Sequence, residues 1–241
     1  MLHFHGTPIT PTATMLTLAG KCFCVSHFRP DQVALAHQIG QSVMLDNGAF
    51  SKWKAERKAD NGKVYTDWPA YYQWVDQWLD YPTTWAVIPD VIGGGSQEQD
   101  ALVREWPHGH RGAPVYHLDA DLTQPMHRLL RLLDEWPRVC IGWAEPDLPI
   151  LGEAYRRAMD QVWNEIAKRH TRTPWVHKLR GMQLSTAEYP FASVDSTDVA
   201  QNHNRPQNTA RGMADRWDAA QCPPRWLGRE PHPDMFEGQA A

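Results

Sequence analysis

The sequence has few cysteines and no long apolar run. Its four cysteines, Cys22, Cys24, Cys140 and Cys222, form no CxxC pair, which predicts free thiols rather than a disulfide framework or a zinc finger. No apolar stretch approaches the ~20 residues of a membrane-spanning helix, and residues 1–5 lack the basic and apolar regions of a signal peptide. We therefore expect a soluble, intracellular protein with no membrane partner.

Positive charge is also scarce. Lys and Arg number 24 against 28 Asp and Glu, a formal net charge of −4, which argues against a protein that coats nucleic acid by bulk electrostatics. The exception is the insertion 51–63, where cations outnumber Glu56 and Asp60. Its side chains either hold phosphates or belong to a solvated loop. The cations of this insertion are Lys52, Lys54, Arg57, Lys58 and Lys63.

The sequence lacks both common phosphate-binding signatures, GxxxxGK[ST] and GxGxxG. It does have a GGGS run at residues 93–96, directly before a predicted helix at 97–105. Such a loop either cradles a phosphate at the helix N-terminus or is a flexible rim loop. The sequence leaves both interpretations open.

Three apolar runs each end in an aspartate. The runs VMLD, AVIPD and SVD end at Asp46, Asp90 and Asp195, and Gly48 lets the chain turn sharply after the first. One such aspartate is usually a helix cap or turn residue. Three on the same template predict a site, because ligands bind at the carboxyl edge of parallel strands.

Eight strand-like runs alternate mostly with helical ones, which predicts an α/β fold, a single (β/α)₈ TIM barrel. No helix is predicted between the first two strands, where residues 8–14 indicate a Pro/Thr loop. We expect the barrel over residues 1–200, with a C-terminal helix and polar tail over 201–241 packed on it and no zinc subdomain. Strands are predicted at 2–7, 21–26, 43–46, 85–90, 114–119, 138–143, 174–181 and 191–196, and the other helices at 31–38, 68–79, 125–133, 153–169 and 209–220.

Several strand ends resemble the tRNA-guanine transglycosylase superfamily. LDNGAFS at residues 45–51 is similar to the DSGGFQ-type motif of that family, and IG at 141–142, HKLRG at 177–181 and SVDST at 193–197 follow in the family's order. The SVDST ending and the short chain look closer to the DpdA-type enzymes, which insert 7-deazaguanines into DNA, notably in bacteriophages. The resemblance spans residues 1–200 but rests on short motifs. A phage-encoded protein of this kind would work in the host cytoplasm.

The resemblance implies exchange of guanine in DNA for a free 7-deazaguanine base, through a covalent nucleotide intermediate and without a cofactor or metal. Asp195 corresponds to the nucleophile, Asp46 to the acid/base carboxylate and Asp90 to the residue that reads the guanine edge. Phe50 and Trp143 are candidates for stacking on the base. The predicted substrate-binding residues are Asp90, Asn47, Gly48, Phe50, His117, Gly142, Trp143 and His177, and the predicted nucleic-acid contacts are the five cations of the 51–63 insertion.

The residue types suit this chemistry independently of the resemblance. A retaining exchange needs a nucleophile and a second carboxyl group that passes protons to the leaving base. Two neighbouring carboxylates push each other's pKa values apart, so that one is ionised and the other protonated near neutral pH. A third can accept hydrogen bonds from the donors of a guanine edge.

The chain also departs from the family pattern. His117 stands where the family usually has a base-contacting Gln, and Asn47 and Ala49 differ from the commonest motif. The tRNA enzymes have a CxCxxC cluster with a distant His, whereas the C-terminal segment here has only Cys222. The structural zinc and the tRNA-binding extension are therefore expected to be missing, which favours DNA over tRNA. The segment 203–205 is a further candidate for phosphate contact.

A metal-dependent hydrolase is the alternative. His3 and His5 lie two residues apart on the first predicted strand, so both imidazoles point to one side. With His117, His177 and Asp195 they approximate the HxH…H…D plan of amidohydrolases, in which a metal activates water. A non-catalytic nucleic-acid-binding barrel is the second alternative, although three carboxylates at its mouth would repel phosphate.

Overall fold

The computed structural model describes residues 1–58, 68–118, 125–142, 149–186 and 188–229. Its strands are β1 Leu2–Gly6, β2 Cys22–Ser26, β3 Ser42–Asp46, β4 Thr84–Val87, β5 Gly112–Ala113, β6 Val115–Tyr116, β7 Val139–Ile141, β8 Val176–Lys178 and β9 Ser193–Ser196. Its helices are α1 Thr12–Leu16, α2 Val33–Ile39, α3 Ala49–Lys58, α4 Trp68–Trp78, α5 Ser96–Glu105, α6 Pro125–Glu135, α7 Glu153–Arg169, α8 Asp198–Asn202 and α9 Ala210–Ala219. Short 3₁₀ turns lie at Gly109–Arg111 and Met182–Leu184.

The nine strands form one parallel sheet in the order β5-β4-β3-β2-β1-β9-β8-β7-β6. The two ends of this order, β5 and β6, are consecutive in the chain and separated only by Pro114. Pro114 has no N–H to donate, but its carbonyl accepts a hydrogen bond from the Cys140 amide at 2.8 Å. The sheet therefore curls into a nearly closed barrel, and the predicted TIM-barrel class is confirmed.

Alternation of side chains along the strands separates the barrel interior from the helix layer. On β1, Phe4 is aligned with Asp195 of β9, whereas His3 is aligned with Val194. Phe4 belongs to the interior, where its ring contacts His177 at a centroid distance of 5.9 Å. Val194 belongs to the apolar layer under the helices. Odd-numbered residues of β1 therefore face the helices, and even-numbered residues face the barrel axis.

Small and sulfur-containing side chains fill much of the interior. All four cysteines are free, as predicted, and three of them are buried within it. Burial raises the pKa of the Cys24 and Cys140 thiols well above its usual value, which keeps both protonated. The interior cluster comprises Phe4, Cys22, Cys24, Met44, Trp85, Val87, Ala113, Val115 and Cys140.

Three local features of the structure were not predicted. Residues 8–14 were expected to form a loop, but they contain the start of the short helix α1. The insertion 51–63, for which no secondary structure was predicted, begins inside helix α3, which spans Ala49–Lys58; Asn47 accepts a hydrogen bond from the Ala49 amide at the start of this helix. Within the predicted fifth strand at 114–119, β6 covers Val115–Tyr116, and an additional strand, β5, precedes Pro114. No helix among the described residues is long and apolar enough to cross a membrane.

The C-terminal helix α9 packs on the outside of β1, where Ala210, Met213 and Ala214 are buried. The Thr209 side chain caps this helix by accepting a hydrogen bond from the Gly212 amide. The Trp217 indole donates to Asp198 at 2.9 Å, which links α9 to α8. This contact fixes the chain directly after the strand that holds Asp195.

Candidate active site

A cavity of about 320 Å³ opens at the carboxyl edge of the barrel. Asp46, Asp90 and Asp195, which lie far apart in the chain, all line it. Of the predicted substrate-binding residues, Asn47, Phe50, His117 and Gly142 line it as well, and of the predicted nucleic-acid contacts, Lys54 does. Lining residues outside the predicted set are Gly6, Thr7, Cys24, Ser26, Ser51, Ile92, Leu179, Arg180, Ser196, Thr197 and Gln201.

Asp46 is positioned by the turn that follows β3. Its Oδ2 accepts a hydrogen bond from the Gly48 amide at 3.1 Å. Gly48 has φ +76°, and an added Cβ would lie 3.1 Å from the Phe28 amide nitrogen, so both conformation and space require glycine there. Burial raises the pKa of Asp46 to about 6, and the charges of Asp195 and Asp90 act in the same direction. Asp46 is therefore a carboxyl group that can hold a proton close to neutral pH.

Asp195 is surrounded by hydrogen-bond donors. Its Oδ1 accepts from the Arg180 amide at 2.7 Å and lies 3.2 Å from His177 Nε2. The other ring nitrogen of His177 lies 2.8 Å from Ser193 Oγ, which accepts from the Trp175 indole at 3.0 Å. Since an ionised carboxylate only accepts hydrogen bonds, His177 carries its proton on Nε2, and Ser193 donates to Nδ1. Among the described residues, nothing donates to Asp195 Oδ2, which leaves this oxygen for a ligand.

Asp90 has a different environment. Its Oδ1 accepts a hydrogen bond from Asn47 Nδ2 at 2.7 Å, and Asn47 also donates to the Ile88 carbonyl. His117 Nε2 lies 2.8 Å from Asp90 Oδ2, off the line of an ideal hydrogen bond. Gly142 gives His117 its space, because an added Cβ would lie 2.9 Å from His117 Nδ1. Asp90 thus contacts Asn47 through one oxygen and His117 through the other, and all three residues line the cavity.

Arg180 is the main cation of the cavity wall, and it was not predicted as a site residue. It has φ +57°, a left-handed conformation that is uncommon outside glycine and is often found at functional sites. Its guanidinium lies over the Phe50 ring, 3.4 Å from the centroid. Burial lowers the pKa of Arg180, while Asp195 and Asp46 oppose that change. Arg180 partly balances the negative charge of the carboxylates.

Comparison with protein-family models, curated proteins and solved structures found no match.

Lys178 is a second residue that the sequence analysis did not select. Its side chain is fully buried, and Nζ donates to the Gly142 and Leu179 carbonyls, both at 2.9 Å. Burial lowers the pKa of Lys178 to about 8, although Asp195 acts in the opposite direction. Lys178 thus links the chain directly after β7 to the chain directly after β8. A lysine within a strand gave no periodic signal that could have revealed this role.

Two predicted substrate-binding residues act from outside the cavity lining. His177 is fully buried in the barrel beneath Asp195, so it positions that carboxylate and does not line the cavity. Gly48 shapes the turn that holds Asp46. The third, Trp143, lies outside the described residues. His177 and Gly48, which were predicted to bind substrate, are not among the residues that line the cavity, and in this structure they position Asp195 and Asp46.

The structure describes only some of the side chains that were predicted to contact nucleic acid. Lys54 lines the cavity, whereas the Lys52 ammonium lies over the Trp68 ring at 5.9 Å from its centroid. The side chains of Arg57 and Lys58, and the whole of Lys63, lie outside the described part of the chain. In the segment 203–205, both ring nitrogens of His203 lie about 3 Å from backbone carbonyls, at 2.9 Å from Val199 and 3.0 Å from Thr10. His203 therefore has a structural role.

The metal alternative fails at the first strand. His3 and His5 do point to one side, but that side faces α9, where both rings lie near Asp218 at 3.7 and 3.4 Å. His177 and Asp195 are on the opposite face of the sheet. Within the described ranges, no group of three or more His, Cys, Asp or Glu side chains is arranged to hold a metal ion. The structure does not bring the predicted ligand set together.

His3 is instead expected to make the fold sensitive to acid. Burial lowers the pKa of His3 to about 4, against the attraction of Asp218, while His5, Lys21 and the N-terminal amine of Met1 lower it further. Between pH 6.5 and 4 the unfolded chain binds a proton that the native His3 does not, so stability present above pH 6.5 is lost as the pH falls.

The variant His3→Gln tests this, since its amide can still donate to Ser185 Oγ, which accepts from His3 Nε2 at 2.9 Å. Between pH 7 and pH 4, the wild type should lose up to about 3 kcal/mol more of its unfolding free energy than the variant does. Urea titrations at both pH values measure the difference. An equal pH dependence in the two proteins would contradict the assignment.

Proposed function

We propose that the protein is a base-exchange transglycosylase that replaces guanine in DNA with a 7-deazaguanine. The observation that carries the proposal is the convergence of Asp46, Asp90 and Asp195 around one cavity, each in a different environment. Its volume of about 320 Å³ lies at the lower end of the range for small-molecule sites. A cavity of this size suits a single purine base.

Asp195 is the nucleophile of this proposal. Its Oδ1 is held by the Arg180 amide and His177, while Oδ2 faces the cavity side without a donor among the described residues. Oδ2 attacks C1′ of the target nucleotide, the C1′–N bond to guanine breaks, and its electron pair leaves with the base. The product is a covalent ester between the Asp195 carboxylate and the nucleotide.

Asp46 moves the proton. With its pKa raised to about 6, it exists in both forms near neutral pH, as an acid/base group must. The protonated form gives its proton to the leaving guanine. The resulting carboxylate takes a proton from the incoming 7-deazaguanine, whose freed electron pair attacks C1′ and releases Asp195. Atoms and charges balance over the exchange without any other reactant.

Asp90 reads the edge of the base. Asn47 donates to its Oδ1 and His117 Nε2 lies 2.8 Å from its Oδ2, and the remaining lone pairs of these oxygens accept from the base. Guanine and the 7-deazaguanines both present an N–H and an amino group on this edge, and a carboxylate accepts from both. Phe50 supplies an aromatic face at the cavity wall, where Arg180 lies in the free protein. A base that leaves the DNA stack regains part of the lost stacking energy on such a surface.

The assignment to DNA is supported by the SVDST ending and by the lack of a cysteine cluster in the C-terminal segment. The decisive experiment incubates the protein with DNA and a panel of 7-deazaguanines, digests the DNA to nucleosides and detects the modified nucleoside by mass. Release of guanine in equal amount is the expected companion result.

Parallel incubations with tRNA and without added base separate the alternatives. Incorporation into tRNA but not into DNA would change the assigned substrate from DNA to tRNA. Release of guanine that leaves abasic sites, with no incorporation, would indicate hydrolysis and would contradict base exchange. A protein that binds DNA yet modifies neither substrate would support the non-catalytic alternative.

A further inference from the structure

A second, smaller cavity of about 80 Å³ lies beside the candidate active site. The two cavities share His117 as a lining residue. The smaller one is bounded by the start of α5 on one side and by Arg128 of α6 on the other. Its remaining lining residues are Gly94, Gly95, Ser96, Gln99 and Tyr116. Nothing in the proposed exchange reaction uses this space.

Gly95 and Ser96, at the N-terminus of α5, line this cavity. The helix has ten residues, and Gly95 at its N-cap has no side chain to accept their hydrogen bonds. The first turn of a helix has N–H groups without intrahelical partners, and its dipole adds a partial positive charge. Together these features attract an anion, as they do in known phosphate sites.

Arg128 is the second and independent observation. Only 8% of this residue is exposed. Its Nε donates to Asp100 at 2.8 Å and its Nη1 to the Val115 carbonyl at 2.9 Å. Its Nη2 is buried and has no hydrogen-bond partner among the described residues. A buried guanidinium nitrogen without an acceptor is costly, and an oxyanion in the adjoining cavity would supply one.

The charges around Arg128 have mixed signs. Asp100 is shared with Arg131, whose Nη2 donates to it at 2.5 Å, and Arg131 Nη1 also donates to Glu135 at 3.2 Å. Glu98, an exposed residue in the first turn of α5, would repel an anion at this helix N-terminus. Removal of its charge should therefore strengthen anion binding.

The glycine loop is held in place by a buried side chain. Gln99 is only 3% exposed. Its Oε1 accepts from the Val91 amide at 3.1 Å, and its Nε2 donates to the Val91 carbonyl at 2.6 Å. Of the two interpretations of the GGGS run, an ordered cradle agrees with these contacts better than a flexible rim loop.

We infer that this cavity binds a single phosphate group, held by the first-turn amides of α5 and by Arg128. Because the cavity shares His117 with the candidate active site, the phosphate belongs to the nucleic-acid chain next to the exchanged nucleotide. This identity of the ligand rests on the proposed function. The affinity for phosphate itself does not, so the two can fail separately.

The variant Gly95→Asp tests the site by filling it with the protein's own carboxylate. An added Cβ at Gly95 has no atom within 4 Å, and the residue has the extended conformation of an N-cap. The aspartate would cap α5, so folding stability should equal or exceed that of wild type. Calorimetric titration with inorganic phosphate at constant ionic strength should show at least a tenfold loss of affinity, about the effect of one charge in the anion's place.

Two further variants make the result specific. Gly95→Ala adds only a methyl group, which has no atom within 4 Å and brings no charge, so its phosphate affinity should stay far closer to wild type than that of Gly95→Asp. Glu98→Gln should raise that affinity about twofold to threefold, since one repelling charge is removed. No saturable binding of phosphate to wild type, or equal affinity in wild type and Gly95→Asp, would overturn the inference.

The source of the phosphate is decided with a short DNA oligonucleotide. A fall in oligonucleotide affinity with Gly95→Asp, but not with Gly95→Ala, identifies a backbone phosphate as the ligand. Unchanged oligonucleotide affinity beside lost phosphate affinity would reject the backbone source and leave a free phosphate anion as the ligand. Neither measurement depends on base exchange, so an inactive protein would still give a clear answer.

Discussion

The variant Asp195→Asn is expected to lose base exchange by at least about 10⁴-fold while it remains folded. Asparagine has the shape of aspartate and can still accept the Arg180 amide hydrogen bond through its Oδ1. An amide oxygen is a poor nucleophile, however, so the ester with the nucleotide cannot form. The experiment measures modified nucleoside in digested DNA, together with trapping of a covalent protein–DNA complex by denaturing electrophoresis. Both signals should disappear together.

Asp198→Asn is the matched control. Asp198 lies three positions later, accepts from the Trp217 indole at 2.9 Å and does not line the cavity. This variant should keep exchange near the wild-type rate. Exchange by Asp195→Asn above about one hundredth of the wild-type rate would rule out a nucleophilic role. A covalent complex that persists in this variant would assign the nucleophile to another residue.

The variant Asp46→Asn is expected to lose exchange by 10²- to 10⁴-fold, roughly the contribution of a general acid/base group. Wild-type activity should decline as the pH rises above about 6, the pKa to which burial raises Asp46, because the proton for the leaving base is then lost. The residual activity of Asp46→Asn should not show this decline. Rates measured from pH 5 to 8 test both points.

Asp46→Asn should also stabilise the protein. A native pKa of about 6, against the ordinary aspartate pKa of 3.8, means that ionised Asp46 is unfavourable in the folded state. The native state holds a proton between these pH values that the unfolded chain has released, so stability falls as the pH rises through this range. Replacement by neutral asparagine should add about 1–2 kcal/mol at pH 7.5 and little at pH 4.

These two effects of Asp46→Asn distinguish a catalytic carboxylate from a merely structural one. Loss of activity with a gain in stability is the pattern of a site that trades stability for function. Loss of both would indicate that Asp46 mainly maintains the turn at Gly48. A nucleoside whose base can leave without being protonated provides a further test. Asp46→Asn should cleave this substrate, whereas Asp195→Asn should not.

The sequence predicted the barrel well because the relevant signals are local. Each strand is a short apolar run that ends at a turn residue, and helix α7 coincides with the predicted 153–169 segment. Since all parallel strands end at one edge, the three aspartates were expected to converge, and they do. The short helix α1 was missed because Pro and Thr dominate its surroundings.

The supporting residues could not be found in the same way. Arg180 and Lys178 matter because of where their side chains and amides lie relative to β7 and β9, which is set by register between distant strands. His3 and His5 are a different case, in which the local geometry was predicted but the position in the fold was not. Their shared direction was predicted correctly, but the sequence does not say which side of β1 faces the barrel axis.

The division of one strand at Pro114 has a consequence for assembly of the sheet. Among the described residues, 112–113 pair with β4 alone and 115–116 pair with β7 alone. The ring is therefore completed at this point by the covalent chain and not by a shared ladder of hydrogen bonds. Cleavage of the chain at residue 114 would remove this covalent link from the nearly closed barrel, and two strand edges free to separate would favour pairing between molecules.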